Sequence, residues 1–284
     1  MALAIETFHY RLANPGYCAI PGAHPGQMVG SGQLFKRHES LLASPDPRRL
    51  DLRASLLDPF NHYRVKVFQQ HSKIDLFVIA DLSASMSIPG ESTKLQIAAD
   101  FLLSSAQSAF ESGDNFGFIG CGQGIEKSWL FPKGLRMGRV QELARDLSRV
   151  RNGQGGNGLF QVEPYLPLRR SLIFLLSDFH FDLNRLSRLA GLFGRHAVVP
   201  LVLWDPAEYA GLPEWGIVKF QDSENMRTRT LLMRPGLKRK IIEAFEQRRG
   251  RLRHWFRSKG AEPLFIEGRY EASALTNYFL QRGV

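Results

Sequence analysis

Apolar positions along the 284-residue chain fall into blocks of two kinds. Residues 74–80, 116–121, 172–176 and 197–204 are short, nearly unbroken apolar runs, as in strands buried on both faces. Elsewhere the apolar residues recur every three or four positions, the spacing of one side of a helix. Leu95, Ala98, Ala99, Leu102, Leu103, Ala106, Ala109 and Phe110 predict a helix over 93–112. Similar patterns predict helices at 138–151, near 183–193, at 237–259 and near 272–281. Shorter strands are expected at 128–132 and 263–266, and a hairpin near 217–233. Alternating strands and helices over 73–284 predict an α/β fold: a doubly wound, mostly parallel sheet with helices on both faces. Residues 1–72 differ. Pro15-Gly16, Pro21-Gly22 and Pro25-Gly26 mark turns or irregular chain. Order tightens after Ser31 toward a strand-like stretch at 65–68. This segment is expected to be an N-terminal extension packed on the core.

The chemistry gathers where the run 74–80 stops. Asp81, Ser83 and Ser85 alternate there, so one carboxylate and two hydroxyls can point the same way as the chain leaves the sheet. Carboxyl ends of strands are where open α/β sheets place their ligand sites. All three are hard oxygen donors, suited to Mg²⁺ or Mn²⁺ rather than Zn²⁺. Two neutral hydroxyls leave a divalent ion under-neutralised, free to attract an acidic ligand from outside. The same residues also serve well as a helix N-cap, a purely structural use.

The sequence Asp81-Leu82-Ser83-Ala84-Ser85-Met86 after a hydrophobic strand resembles the metal-ion-dependent adhesion site of von Willebrand factor A domains. Such sites take a Thr from a second loop and an Asp from a third. The resemblance implies Asp178, directly after the apolar run 171–177, as the third-loop ligand. The second loop is implied at 151–158, where Gly155-Gly156-Asn157 stands in place of the usual Gly-Gly-Thr, making Asn157 the candidate donor. The stretch 44–55 (SPDPRRLDLRAS), Trp204-Asp205-Pro206-Ala207-Glu208 and Gln221-Asp222-Ser223-Glu224 are similar, in order and spacing, to signatures of the DUF58 group of bacterial and archaeal proteins. That likeness implies an adaptor working with a MoxR-type AAA+ ATPase in protein maturation or assembly.

Composition changes the picture at one place. Residues 227–259 hold twelve Lys or Arg against two acids, an excess equal to the whole chain's net charge of +10. Leu237, Ile241, Phe245, Leu252 and Phe256 give this segment one packing face. Lys238, Arg239, Lys240, Arg248, Arg249, Arg251 and Arg253 lie off it and are the candidate partner-binding residues. Reversing Arg248, Arg249 and Arg251 is expected to spare the fold. A solvated face, an acidic protein partner and nucleic acid all remain open, since charge argues association and not identity. No base-reading motif accompanies the cluster, which ranks nucleic acid last. No apolar run approaches the ~20 residues that cross a bilayer, and the first residues lack the pattern of a signal peptide. Two cysteines, Cys18 and Cys121, exclude a disulfide framework. A cytoplasmic setting is expected.

Enzyme readings find little support. Gly-x-Ser-x-Gly is absent, so neither Ser83 nor Ser85 has a nucleophile elbow. An aspartyl-phosphate mechanism would want a second carboxylate where Ser83 stands. His180 reads as a solvated loop histidine. Gly120-x-Gly122-x-Gly124 mimics a dinucleotide loop, but no helical pattern follows and a hairpin turn accounts for it. A metal-dependent hydrolase is the remaining enzymatic alternative, and the expectation is a protein that is not an enzyme.

Overall fold

The structure, a computed structural model, describes residues 5–11, 21–30, 34–87, 93–134, 136–150, 156–221 and 228–282. The first sheet is antiparallel and small. Strands β1 (Pro21–Gly30) and β2 (Leu34–Ser40) flank β3 (Arg64–Ser72), with the short helix α1 (Leu52–Leu56) between β2 and β3. Residues 21–30, expected to be turns, form a strand because the prolines fall on an edge, where a missing amide donor is tolerated. Its register slips between Pro21 and His24 and again between Pro25 and Val29. The 44–55 signature is used locally. Asp46 caps the turn Pro47–Arg49, Asp51 accepts from the amides of Arg53 and Ala54, and Ser55 Oγ receives the Arg64 amide.

The second sheet carries the core. Strand β4 (Asp75–Asp81) is followed by α2 (Lys94–Glu111), the hairpin β5 (Asn115–Cys121) and β6 (Ile125–Gly134), and α3 (Met137–Arg149). Then come β7 (Leu172–Ser177), α4 (Ala190–Arg195) and β8 (Ala197–Trp204). A hairpin of β9 (Gly216–Gln221) and β10 (Thr228–Met233) leads into α5 (Pro235–Ser258), β11 (Leu264–Glu267) and α6 (Ala272–Arg282). The strand order is β11-β8-β7-β4-β5-β6, parallel throughout except for β6. This is the doubly wound α/β fold that the alternation predicts. The Gly122–Gly124 stretch is the β5–β6 turn, closed by the Gly122 amide donating to the Gly124 carbonyl at 3.1 Å.

Alternate side chains on each strand feed two cores. Leu76, Val78, Phe174 and Leu201 pack with α2, α3 and α6 on one face. Phe77, Ile79, Leu175 and Val202 pack on the other with Leu186, Leu192, Leu252 and Phe256. Each such side chain contributes roughly 2 kcal/mol by leaving water. Phe8 and Tyr10 are buried inside the first core, with the Phe8 ring 5.6 Å edge-on to Phe174 and 6.0 Å from Phe101. The Phe8 amide donates to Ser108 Oγ, and Tyr10 Oη donates to Asp114 Oδ2 at 2.6 Å. The helix expected near 183–193 is instead a 3₁₀ run, Leu183–Leu189, followed by the short α4.

Candidate metal centre

From β4 the chain builds outward through β5 and β6, then returns to the other side of β4 with β7. The connections leaving β4 and β7 therefore depart in opposite directions, the switch point at which open α/β sheets form a ligand crevice. Asp81 closes β4 and Asp178 follows β7, so the two carboxylates flank that crevice. Both are buried. Asp81 Oδ2 accepts from Ser177 Oγ at 2.7 Å, and its Oδ1 accepts from the Ser83 amide at 2.9 Å. Ser83 Oγ and Ser85 Oγ stand 3.1 Å apart, and the Ser85 side chain helps to hold the Asp178 carboxyl below its ordinary value. The fold thus brings Asp81, Ser83, Ser85 and Asp178 to one place.

Asn157 is placed differently. It is exposed, and its Oδ1 accepts from an Arg185 guanidinium nitrogen at 2.5 Å. Gly156 of that loop lies beside the crevice, where a Cβ would sit 3.3 Å from Ser83 Cβ and 3.7 Å from Asp81 Oδ1. Residues 151–155 lie outside the described residues, as do Cys18 and Asp222, Ser223 and Glu224 of the last signature. The loop is pinned by the Gly158 amide, which donates to the Gly122 carbonyl at 2.9 Å. A Cβ on Gly158 would come within 2.6 Å of the Gly124 carbonyl oxygen, so this contact requires glycine.

The local pattern gave no sign of Lys94. It opens α2, yet is buried, with Nζ 3.0 Å from Asp178 Oδ2 and 2.6 Å from Glu208 Oε1. A cation in a first helical turn opposes the helix dipole, and that misfit is the one signal that could have flagged it. Glu208 Oε2 lies 3.2 Å from His180 Nε2. His180 is therefore no solvated loop residue: its ring stacks on Trp204, 6.0 Å away and 5° from parallel. Trp204 Nε1 in turn donates to the Asp178 carbonyl at 2.8 Å.

Electrostatics separates the two aspartates. Burial, and then the charge of Asp178, push the Asp81 carboxyl up to about 6. Burial also acts against an ionised Asp178, but His180, Lys94 and the bonds from Lys94 and Ser85 outweigh it and hold that carboxyl below its ordinary value. Lys94 loses by burial and gains more from Asp178 and Glu208, so its ammonium is held more firmly than usual. A buried carboxylate that resists ionisation beside a second one is short of positive charge. Two carboxylates and two hydroxyls, oxygen throughout, suit Mg²⁺ or Mn²⁺ with positions left for water or an outside ligand. The residues present fit such an ion. No cluster of three His, Cys, Asp or Glu able to hold a metal occurs among the described residues.

The basic helix supports this crevice from behind. Arg248 Nε donates to the Phe179 carbonyl at 3.0 Å, and Nη2 donates to the carbonyls of Phe179 and Phe181. Arg249 pairs with Glu267 and lies over the rings of Trp204 and Phe265. The expectation that reversing Arg248, Arg249 and Arg251 spares the fold is therefore corrected for the first two. Their partners are carbonyls and rings supplied by distant segments, which helical spacing does not reveal. Arg253 lies over Phe265. Lys238 is half-buried, and Arg239, Lys240 and Arg251 are exposed.

No helix among the described residues is long and apolar enough to cross a membrane. No curated protein matches the chain. Among solved structures, proximal thread matrix protein 1 from the mussel byssus aligns at 18% identity and a TM-score of 0.37, over 46% of this chain and 37% of that one. The same mussel protein has also been solved with a zinc-occupied MIDAS motif. An aerotolerance-related membrane protein from Bacteroides fragilis aligns at 12% identity and 0.43, over 73% and 97%. The pilus adhesin SpaC from Lactobacillus rhamnosus GG aligns at 16% and 0.38, over 74% and 30%. The chain thus spans about a third of the length of the mussel protein and of the adhesin. The family described as "Protein of unknown function DUF58" matches residues 48–252, a range that takes in the whole crevice, and the chain belongs to that family.

Proposed function

We propose that this protein is a non-enzymatic adaptor that docks an acidic protein ligand through a divalent ion. In this reading Ser83 and Ser85 ligate Mg²⁺ or Mn²⁺ directly, and Asp81 and Asp178 do so directly or through water. Asn157, turned to Arg185, stays outside the donor set. The observation that carries the proposal is the pair of buried carboxylates at the β4/β7 switch point, with the Ser83 and Ser85 hydroxyls 3.1 Å from one another beside them. The ATPase partnership and a role in maturation or assembly rest on the family's habitual company with MoxR-type ATPases. Nucleic acid is disfavoured because Arg248, Arg249, Arg253 and Arg257 of the basic segment already face internal partners.

Calorimetry tests the centre. The native protein should bind Mg²⁺ or Mn²⁺ at millimolar concentration or below, and Asp81→Ala should abolish it with the fold retained. Equal affinity in both proteins, or no binding by the native one, would overturn the proposal.

A further inference from the structure

Beside the metal crevice, the run Leu183–Leu189 and the second half of α5 enclose a groove of about 710 Å³. Leu183, Leu186 and Trp255 give it apolar walls, and Leu186 is fully buried. Its ionisable lining side chains are Arg251 and His254, both exposed and both on α5. No acid lines it. Asp182, the residue before Leu183, has its carboxylate engaged by the Asn184 amide at 3.0 Å.

Gly250 also lines the groove, near the middle of a 24-residue helix. Glycine is among the least favourable residues in a helix interior. Neither usual reason for tolerating it applies. Its φ is not positive, and a Cβ built on it meets no atom within 4 Å. A Cβ there would stand in open space beside the groove, and a longer side chain has room to lie across it.

We infer that this groove binds an acidic segment of a protein partner, seating one apolar side chain against Leu183, Leu186 and Trp255 and its carboxylates on Arg251 and His254. The inference extends the adaptor reading, because the groove adjoins the Asp178 loop that Arg248 holds in place. A partner that offers one carboxylate to the metal gains a second foothold here. Two modest contacts joined on one chain multiply in affinity. Nucleic acid fits less well: the walls are apolar, and Arg251 is the one arginine or lysine among the described lining residues.

Fluorescence anisotropy with labelled ten-residue peptides provides the test. The set is rich in glutamate and carries a single Leu, Phe or Trp at varied positions. Lysine-for-glutamate versions, all-glutamate versions and a single-stranded oligonucleotide are the comparisons. At least one anchored acidic peptide should bind, with EDTA present as well as absent, and the comparisons should bind at least tenfold more weakly. Gly250→Leu should fill the groove and weaken binding tenfold or more, while Gly250→Ala leaves it within twofold. Thermal unfolding should show both variants at least as stable as the native protein, since each improves the helix. Arg251→Glu, exposed and outside the packing face, should weaken binding at least fivefold. Failure of every acidic peptide to bind overturns the inference. So does equal binding by native protein and Gly250→Leu, or oligonucleotide binding lost with the same variants. Peptide binding abolished by Asp81→Ala or by EDTA would place the peptide on the metal and also overturn it. Mg²⁺ calorimetry on Gly250→Leu reads the metal centre separately, so the two proposals fail independently.

Discussion

Asp81 and Lys94 set the behaviour of the crevice before any ion arrives. In the unfolded chain Asp81 titrates near 3.8, and in the fold at about 6. Between those values the folded protein keeps a proton that the unfolded chain has released. The contribution is therefore full below pH 4 and lost as pH rises through about 6, a change on the order of 3 kcal/mol for the metal-free protein. Asp81→Asn has nothing to titrate there. Its stability relative to the native protein should improve between pH 4 and 7 in chelator, as urea unfolding would measure; an unchanged difference would count against the burial argument. Lys94 acts in the opposite sense. Removing it as Lys94→Met strands Asp178 and Glu208 without their buried partner, a loss of about 3 kcal/mol. It also removes a cation that sits against one proposed ligand. Melting with and without Mg²⁺ should show a lower starting temperature and a larger rise on adding metal than in the native protein. A rise no larger than the native one would mean that ammonium and metal ion do not compete.

At the scale of elements, what the sequence discloses depends on where the partners are. Strands β4, β7 and β8 are legible because burial on both faces makes them apolar throughout, and polar residues end them sharply. Asp81, Ser83, Ser85 and Asp178 stand out in the sequence for the same reason, since they lie at or just past such an end. Strand β1 was hidden by its prolines, which an edge strand accepts. Lys94 and Arg248 were hidden because a charged residue on a helix is usually solvated, and what buries them lies 84 and 69 residues away in sequence. Helix α5 is the instructive case. Its packing stripe follows helical spacing, yet its charged side divides into arginines that hold the structure and arginines that face solvent. Arg248→Ala should lower stability by about 2 kcal/mol through loss of its carbonyl bonds. Arg251→Ala should change it by less than about 0.5 kcal/mol. Urea unfolding of the two variants checks this, and equal losses would refute the division.

The whole molecule is held together by its ends. Phe8 and Tyr10 enter the first core from one terminus, and Leu275, Tyr278 and Phe279 enter it from the other, with Tyr10 and Phe279 6.4 Å apart and tilted against each other. Strand β11 also forms the edge beside β8. Phe8→Ala should cost about 3 kcal/mol, a loss that thermal unfolding would register. All these residues lie outside 48–252, the range by which the family is recognised. The span that marks common descent is thus shorter than the span that folds. A gene fragment cut to 48–252 would carry the crevice but lack the edge strands β1, β2 and β11, helix α6, and the core side chains Phe8 and Tyr10. It should emerge as a loosely packed chain that binds hydrophobic dyes. Kinship in this family is written in the middle of the chain, and solidity is supplied by the two tails.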